Sequence, residues 1–302
     1  MKWFGVVPAM TTCFNKDLTV DHGFMSTHAR WMVENGCSGV VSLGSLGEAA
    51  TLTFKEKVSI LSNIRKSLAT DTPVVAAVSS LSTQEAVELA TAAADAGCQG
   101  LMVLPPYVYR GDWREMKEYL AAVFRATSLS VMLYNNPIAY GTDFLPSQIR
   151  ELALEFENFA AVKESSADVR RVTSIREITG DRLQIFVGVD DLIVEAIGAG
   201  AKGWIAGLVN ALPKESTALF DIAMNQGAAQ AFEIYRWFLP LLRMDTVPKF
   251  VQLIKLVQQE VGMGNTRVRG PRLELTGAEL AEARGIIQEA LRSRPTLSLV
   301  SG

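Results

Sequence analysis

What most constrains this chain is an alternation that repeats eight times and then stops. Short apolar runs at residues 5–9, 39–42, 74–78, 100–104, 131–134, 159–163, 183–187 and 203–206 have the near-continuous hydrophobicity of strands buried on both faces. Between them lie segments with helical spacing, at about 21–35, 54–68, 83–96, 113–126, 146–156, 168–179 and 191–199. Several of these end in a glycine followed by the next strand, as in Asp95-Ala96-Gly97-Cys98-Gln99-Gly100, where glycine supplies a left-handed cap. Strands spaced by roughly 25–35 residues are too far apart for hairpins and match the length of a βα unit.

Eight such units, with no early Gly-x-Gly-x-x-Gly fingerprint, predict an α/β chain folded as a (β/α)8 TIM barrel rather than a doubly wound open sheet. After Pro213 the strands cease. Residues 214–225, 228–243, 247–261 and 277–293 read as helices, broken at Gly262-Met263-Gly264-Asn265 and Gly270-Pro271-Arg272. The expected organisation is a catalytic barrel over residues 1–225 and a C-terminal helical extension over 226–302, frayed across 295–302.

Composition narrows the class. Hydrophobic residues make up 49% and charged residues 20% of the 302, enough for a large core. A net charge of -3 with interspersed signs gives no basic footprint for nucleic acid. No apolar run reaches the ~18 residues of a membrane span, and the apolar stretch after Met1 is too short for a signal peptide. Cys13, Cys37 and Cys98 are scattered, and His22 and His28 share one helix-like segment, so no metal site is expected. The expectation is a cytoplasmic enzyme with no cofactor and a small-molecule substrate.

In a barrel, chemistry sits at the carboxyl ends of the strands. The most telling end is Phe159-Ala160-Ala161-Val162-Lys163-Glu164-Ser165-Ser166, a buried strand running straight into a cation. A lysine there either snorkels to water or is desolvated, loses its proton and attacks a carbonyl. Gly44-Ser45-Leu46-Gly47-Glu48 reads as an ordinary βα turn or as an anion-binding nest of backbone amides. Tyr134 is either core or a proton shuttle. Asn135-Asn136-Pro137 reads as a turn, Asp190 and Asp191 as caps of the next helix, and Glu48 as a structural hydrogen-bonding group.

Taken together, Gly44-Ser45-Leu46-Gly47-Glu48, Tyr134-Asn135-Asn136-Pro137 and Val162-Lys163-Glu164-Ser165-Ser166 resemble the signature of the dihydrodipicolinate synthase/N-acetylneuraminate lyase family, over essentially the whole chain. The resemblance implies a class I, Schiff-base mechanism on 2-keto acids. It implies Lys163 as the amine that condenses with substrate, Tyr134 as the proton-relaying phenol, and Ser45 with the Leu46 amide as a carboxylate cradle. It also implies Gly47, Ala139, Gly188 and Ile205 as substrate-binding positions, and a homotetramer. Departures matter as well. Leu46 stands where the synthase branch has a threonine, Val108 where it has a relay tyrosine, and Ala139 where it has an arginine for a dicarboxylate partner. With Ile138, Ala139 and Tyr140 the wall is expected to be apolar, unsuited to a long polyhydroxylated sugar.

The run Tyr-Asn-Asn-Pro-Ile-Ala-Tyr-Gly is most similar to the hydroxyproline-catabolic branch, whose members are 1-pyrroline-4-hydroxy-2-carboxylate deaminases. The alternatives are a 2-keto-3-deoxy-sugar-acid dehydratase or aldolase, 4-hydroxy-tetrahydrodipicolinate synthase, or a non-catalytic keto-acid-binding protein on the same scaffold.

Overall fold

Eight strands form in the order the alternation requires: β1 (Gly5–Pro8), β2 (Val40–Ser42), β3 (Val74–Val78), β4 (Gly100–Val103), β5 (Ser130–Asn135), β6 (Phe159–Glu164), β7 (Gln184–Val187) and β8 (Gly203–Ala206). In this computed structural model, which describes residues 1–296, they pair in parallel around the order β1-β8-β7-β6-β5-β4-β3-β2. A parallel bridge between Ala9 and Val41 spans the remaining gap, with the Met10 amide donating to the Val41 carbonyl at 2.8 Å. Nearly every strand residue is buried, because side chains fill the barrel on one face and the helices cover the other. The (β/α)8 barrel expected from the sequence is the fold observed.

The covering helices are α1 (His22–Glu34), α2 (Phe54–Ser67), α3 (Thr83–Asp95), α4 (Trp113–Arg125), a single turn α5 (Pro137–Tyr140), α6 (Pro146–Glu155), α7 (Arg170–Thr179) and α8 (Ile193–Gly198). Their starts follow local chemistry. Thr53 with Glu56, and Asp112 with Glu115, form reciprocal capping boxes on α2 and α4, satisfying amides that have no partner within the helix.

Three local expectations change. The strands carrying Tyr134 and Lys163 each run one residue further, because Asn135 opposes Glu164 and donates to its carboxylate at 3.0 Å. Asn136-Pro137 opens a helical turn rather than a plain loop. The Asn136 side chain accepts from the Ala139 amide, and proline, which lacks an N–H, sits first in the turn. Asp190 and Asp191 cap nothing: they lie in a 3₁₀ turn, Asp190–Leu192, ahead of α8, and neither the turn nor the helix has a side-chain cap.

Beyond β8 come α9 (Pro213–Gln226), α10 (Ala228–Leu242), α11 (Phe250–Glu260) and α12 (Gly277–Arg292). The boundary drawn at 225/226 falls in the last turn of α9. The Trp237 indole fastens α10 to α12 by donating to the Ala290 carbonyl at 2.8 Å. The fraying expected for 295–302 lies outside the described residues from position 297 on. Among the described residues no helix is long and apolar enough to cross a membrane.

The extension is latched to the barrel through Glu48, the residue that ends the β2 turn. Its buried carboxylate pairs with the Lys255 ammonium of α11 and accepts the Arg269 amide at 3.0 Å. Glu48 therefore makes the structural bonds expected of it.

Candidate active site

The carboxyl ends of the strands and the extension enclose a cavity of about 560 Å³. Register does the first part of the work. Tyr134 and Lys163 are Cα partners across β5 and β6, so their side chains rise side by side toward the mouth. The Lys163 Nζ lies 3.9 Å from the centroid of the Tyr134 ring. Each residue is only 6% exposed, so the amine does not snorkel to water. Gly188, at the end of β7, makes room for it: a Cβ there would collide with the side chains of Lys163 and Ser165.

Burial lowers the Lys163 pKa from 10.5 to about 8, while the charges of Asp245 and Asp190 oppose the fall. A sizeable fraction of the amine is thus unprotonated near neutrality, as a nucleophile requires. Tyr134 moves the other way. Burial pushes its phenol up to about 12, with the Asn136 amide, which donates to its oxygen at 3.0 Å, a smaller opposing influence. It is a proton donor at neutral pH.

Asp190 is fully buried, and it accepts from the Trp204 indole at 3.1 Å, the Gly207 amide at 3.1 Å and the Leu208 amide at 2.9 Å. Instead of capping a helix it ties the end of β7 to the turn after β8. Desolvation raises its pKa to about 6.

Of the positions singled out from sequence, Lys163, Tyr134, Ser45, Leu46, Ala139, Gly188 and Ile205 all border the cavity. Gly47 does not. It sits behind the turn against the Met10 carbonyl, and its own carbonyl accepts the Thr12 hydroxyl at 2.6 Å. The amides of Ser45, Leu46 and Gly47 make no hydrogen bond among the described residues, which leaves donors for an anion. Val108 is 67% exposed and is not part of the wall.

The expected apolar wall needs correcting at Tyr140. Its hydroxyl is hydrogen-bonded to Ser45 Oγ, so it brings a polar group to the mouth. Two charged residues were not visible in the strand-end pattern. Asp245 ends the 3₁₀ turn Arg243–Asp245 between α10 and α11 and reaches in beside Gly207, where any side chain would displace it. Its Oδ1 is buried with no partner among the described residues, and desolvation raises its pKa well above the ordinary value for an aspartate. Arg272 borders the cavity with a guanidinium that makes no hydrogen bond or ion pair among the described residues. Both come from the extension, about 80 and 110 residues beyond Lys163, and no spacing rule links them to it. Among the described residues no group of three or more His, Cys, Asp or Glu side chains is placed to hold a metal ion.

The family model described as "Dihydrodipicolinate synthetase family" matches residues 2–290. The chain belongs to this family. Among similar family members is the 4-hydroxy-tetrahydrodipicolinate synthase of Geotalea uraniireducens, 29% identical over 289 residues, covering 94% of this chain and 98% of that one. The enzyme of the same name from Desulforamulus reducens is 27% identical over 282 residues, covering 93% and 95%. The crystal structure of a dihydrodipicolinate synthase from Bacillus anthracis superposes with a TM-score of 0.91 at 26% identity, over 98% of this chain and all of that one.

Proposed function

We propose that this member of the dihydrodipicolinate synthetase family is a Schiff-base-forming enzyme of small 2-keto or cyclic 2-imino acids, and within that class a 1-pyrroline-4-hydroxy-2-carboxylate deaminase. The observation that carries the reading is Lys163: a buried amine, its pKa lowered to about 8, over the face of a proton-donating tyrosine, in a cavity of about 560 Å³. The free amides of the Ser45 turn suit the 2-carboxylate and hold C2 near the amine.

The chemistry follows from those groups. The Lys163 nitrogen adds to C2 of the ring C=N, and the ring nitrogen takes a proton from Tyr134. The bond from C2 to the ring nitrogen then breaks as the Lys163 imine forms, leaving an open chain with an amine on C5 and a hydroxyl on C4. The imine draws electrons from C3, whose proton returns to Tyr134. The C4 hydroxyl leaves as water after accepting a proton from a neutral acid, a role that Asp245 suits. Elimination leaves a double bond between C3 and C4 in conjugation with the Lys163 imine. A proton lost from C5 and one gained at C3 move it to C4–C5, and the 5-amino enamine so formed takes a proton at C4 to become the C5 imine. Water hydrolyses it, releasing ammonia, and a second water frees Lys163. One water leaves and two enter, so substrate plus water gives 2,5-dioxopentanoate and ammonia.

A second reading, 4-hydroxy-tetrahydrodipicolinate synthase, has its own support in the names of the relatives and in Arg272, whose guanidinium has no partner among the described residues and could pair with a second carboxylate. Ammonia release from 1-pyrroline-4-hydroxy-2-carboxylate separates the two. Turnover with pyruvate and aspartate semialdehyde, and none with the pyrroline, would reverse the order. A borohydride-trapped mass adduct on Lys163, lost in Lys163→Ala, tests the shared chemistry and separates both enzymes from a binding protein. The same proposal includes a catalytic barrel over 1–225 with an extension over 226–302 that completes the cavity, a homotetramer checked by light scattering, and a cytoplasmic location checked by fractionation.

A further inference from the structure

The hydrogen bond between Ser45 and Tyr140 is not used by the mechanism above. Ser45 Oγ sits at the end of β2 in the cavity wall, and among the described residues Tyr140 is the only group bonded to it. A serine hydroxyl moves a proton only when a neighbour accepts or returns one as it does so. Tyr140 is placed for this. The turn α5 is fixed at its start by Asn136 and at its end by the Gly141 amide donating to the Pro137 carbonyl at 2.9 Å. That turn carries the Tyr140 ring across the mouth, edge to face with Tyr134 at 5.8 Å between centroids and 6.2 Å from Tyr107. Asn136 serves both phenols. Its side-chain oxygen caps the turn bearing Tyr140, and its side-chain amide donates to the Tyr134 hydroxyl.

We propose that Tyr140 is a second proton-relay phenol, acting through Ser45 Oγ, and that the relay is therefore complete within a single chain. Protons released at the substrate pass from Ser45 to Tyr140 at the rim, as each hydroxyl gives up one proton while taking another. No oxidant, metal or partner residue enters the step. The inference rests on imine formation at Lys163, so its test reads imine formation and proton transfer separately.

Pyruvate serves as the probe. Its imine with Lys163 is trapped by borohydride and weighed, and the exchange of its methyl protons with D2O, followed by NMR, reports proton movement. In Tyr140→Phe the trapped adduct is expected to form within about threefold of the unsubstituted rate, while exchange slows by about 10²-fold or more. Small proton carriers such as imidazole should restore exchange in that variant in proportion to their concentration and leave the unsubstituted protein unaffected. Adding Ser45→Ala to Tyr140→Phe should slow exchange little further, because the two hydroxyls act in series. Val108→Ala should exchange at the original rate per chain.

Exchange at full speed in Tyr140→Phe would overturn the relay. Loss of adduct and exchange together in a folded Tyr140→Phe, without imidazole rescue, would make the residue a structural support and overturn it equally. Loss of exchange in Val108→Ala would overturn its completeness within one chain. If the unsubstituted protein forms no adduct, the proposed function fails first and the relay falls with it.

Discussion

Replacing Lys163 by methionine should inactivate the protein and make it more stable. The amine is buried, and its pKa drops from 10.5 to about 8. At about 1.36 kcal/mol per pKa unit, holding the protonated form there costs the fold about 3 kcal/mol at neutral pH. Methionine fills much the same space without a charge. That cost is already net of the opposing influence of the neighbouring acidic side chains, and imperfect packing of the methionine returns part of the gain. The expected net stabilisation at pH 7 is about 1–3 kcal/mol.

The pH dependence makes the reasoning specific. Below pH 8 the lysine is protonated in both the folded and unfolded chains, and the whole cost is present. Between about 8 and 10.5 the folded state has released its proton while the unfolded chain still holds it, so the stability of the unsubstituted protein rises with pH. The advantage of Lys163→Met should therefore shrink across that interval and vanish above it. Urea-unfolding midpoints of both proteins at pH 7, 9 and 10.5 measure this. A variant no more stable at pH 7, or an advantage unchanged at pH 10.5, would refute the desolvated amine. The same shift leaves about one amine in ten free at pH 7, against about one in three thousand for an exposed lysine. The adduct rate should then level off above pH 8 instead of climbing through pH 10.

Three further outcomes follow from particular contacts. Gly188→Ala pushes a methyl group into Lys163 and Ser165 and should slow adduct formation by at least about 10², with a native circular dichroism spectrum showing that the fold survives. Lys255→Met strands the buried Glu48 carboxylate and should cost about 3–5 kcal/mol in chemical denaturation. Arg272→Ala should raise KM by about tenfold or more for a substrate with a second anionic group while leaving pyruvate adduct formation unchanged.

The barrel was legible because its information is local. Each strand is a short apolar run and each helix a periodic segment with its own cap, so the eight units could be placed before any contact was known. Lys163 and Tyr134 were legible for the same reason: both lie at strand ends, and parallel register makes them neighbours. Asp190 was misread because aspartate before a helix is ordinarily a cap. Its actual partners, Trp204, Gly207 and Leu208, become visible only once β7 and β8 stand side by side. Tyr140 was in view but counted with the apolar wall, since nothing in Ile138-Ala139-Tyr140 announces a helical turn that swings a hydroxyl toward Ser45. Asp245 and Arg272 carried no local signal. They reach the cavity through the docking of α10, α11 and the segment beyond them.

The latch between Glu48 and Lys255 joins residues 207 positions apart. During synthesis on the ribosome, all eight strands emerge before the segment that supplies the rest of the cavity wall does. Until that segment docks, the cavity lacks the wall that Asp245, Val247, Phe250 and Arg272 supply, so the half-made protein has no complete site in which to hold a keto acid. Reactivity is then the last property the molecule acquires. Ribosome-bound chains halted after β8 should give no borohydride-trapped adduct with pyruvate, whereas chains halted with α12 fully emerged should give one.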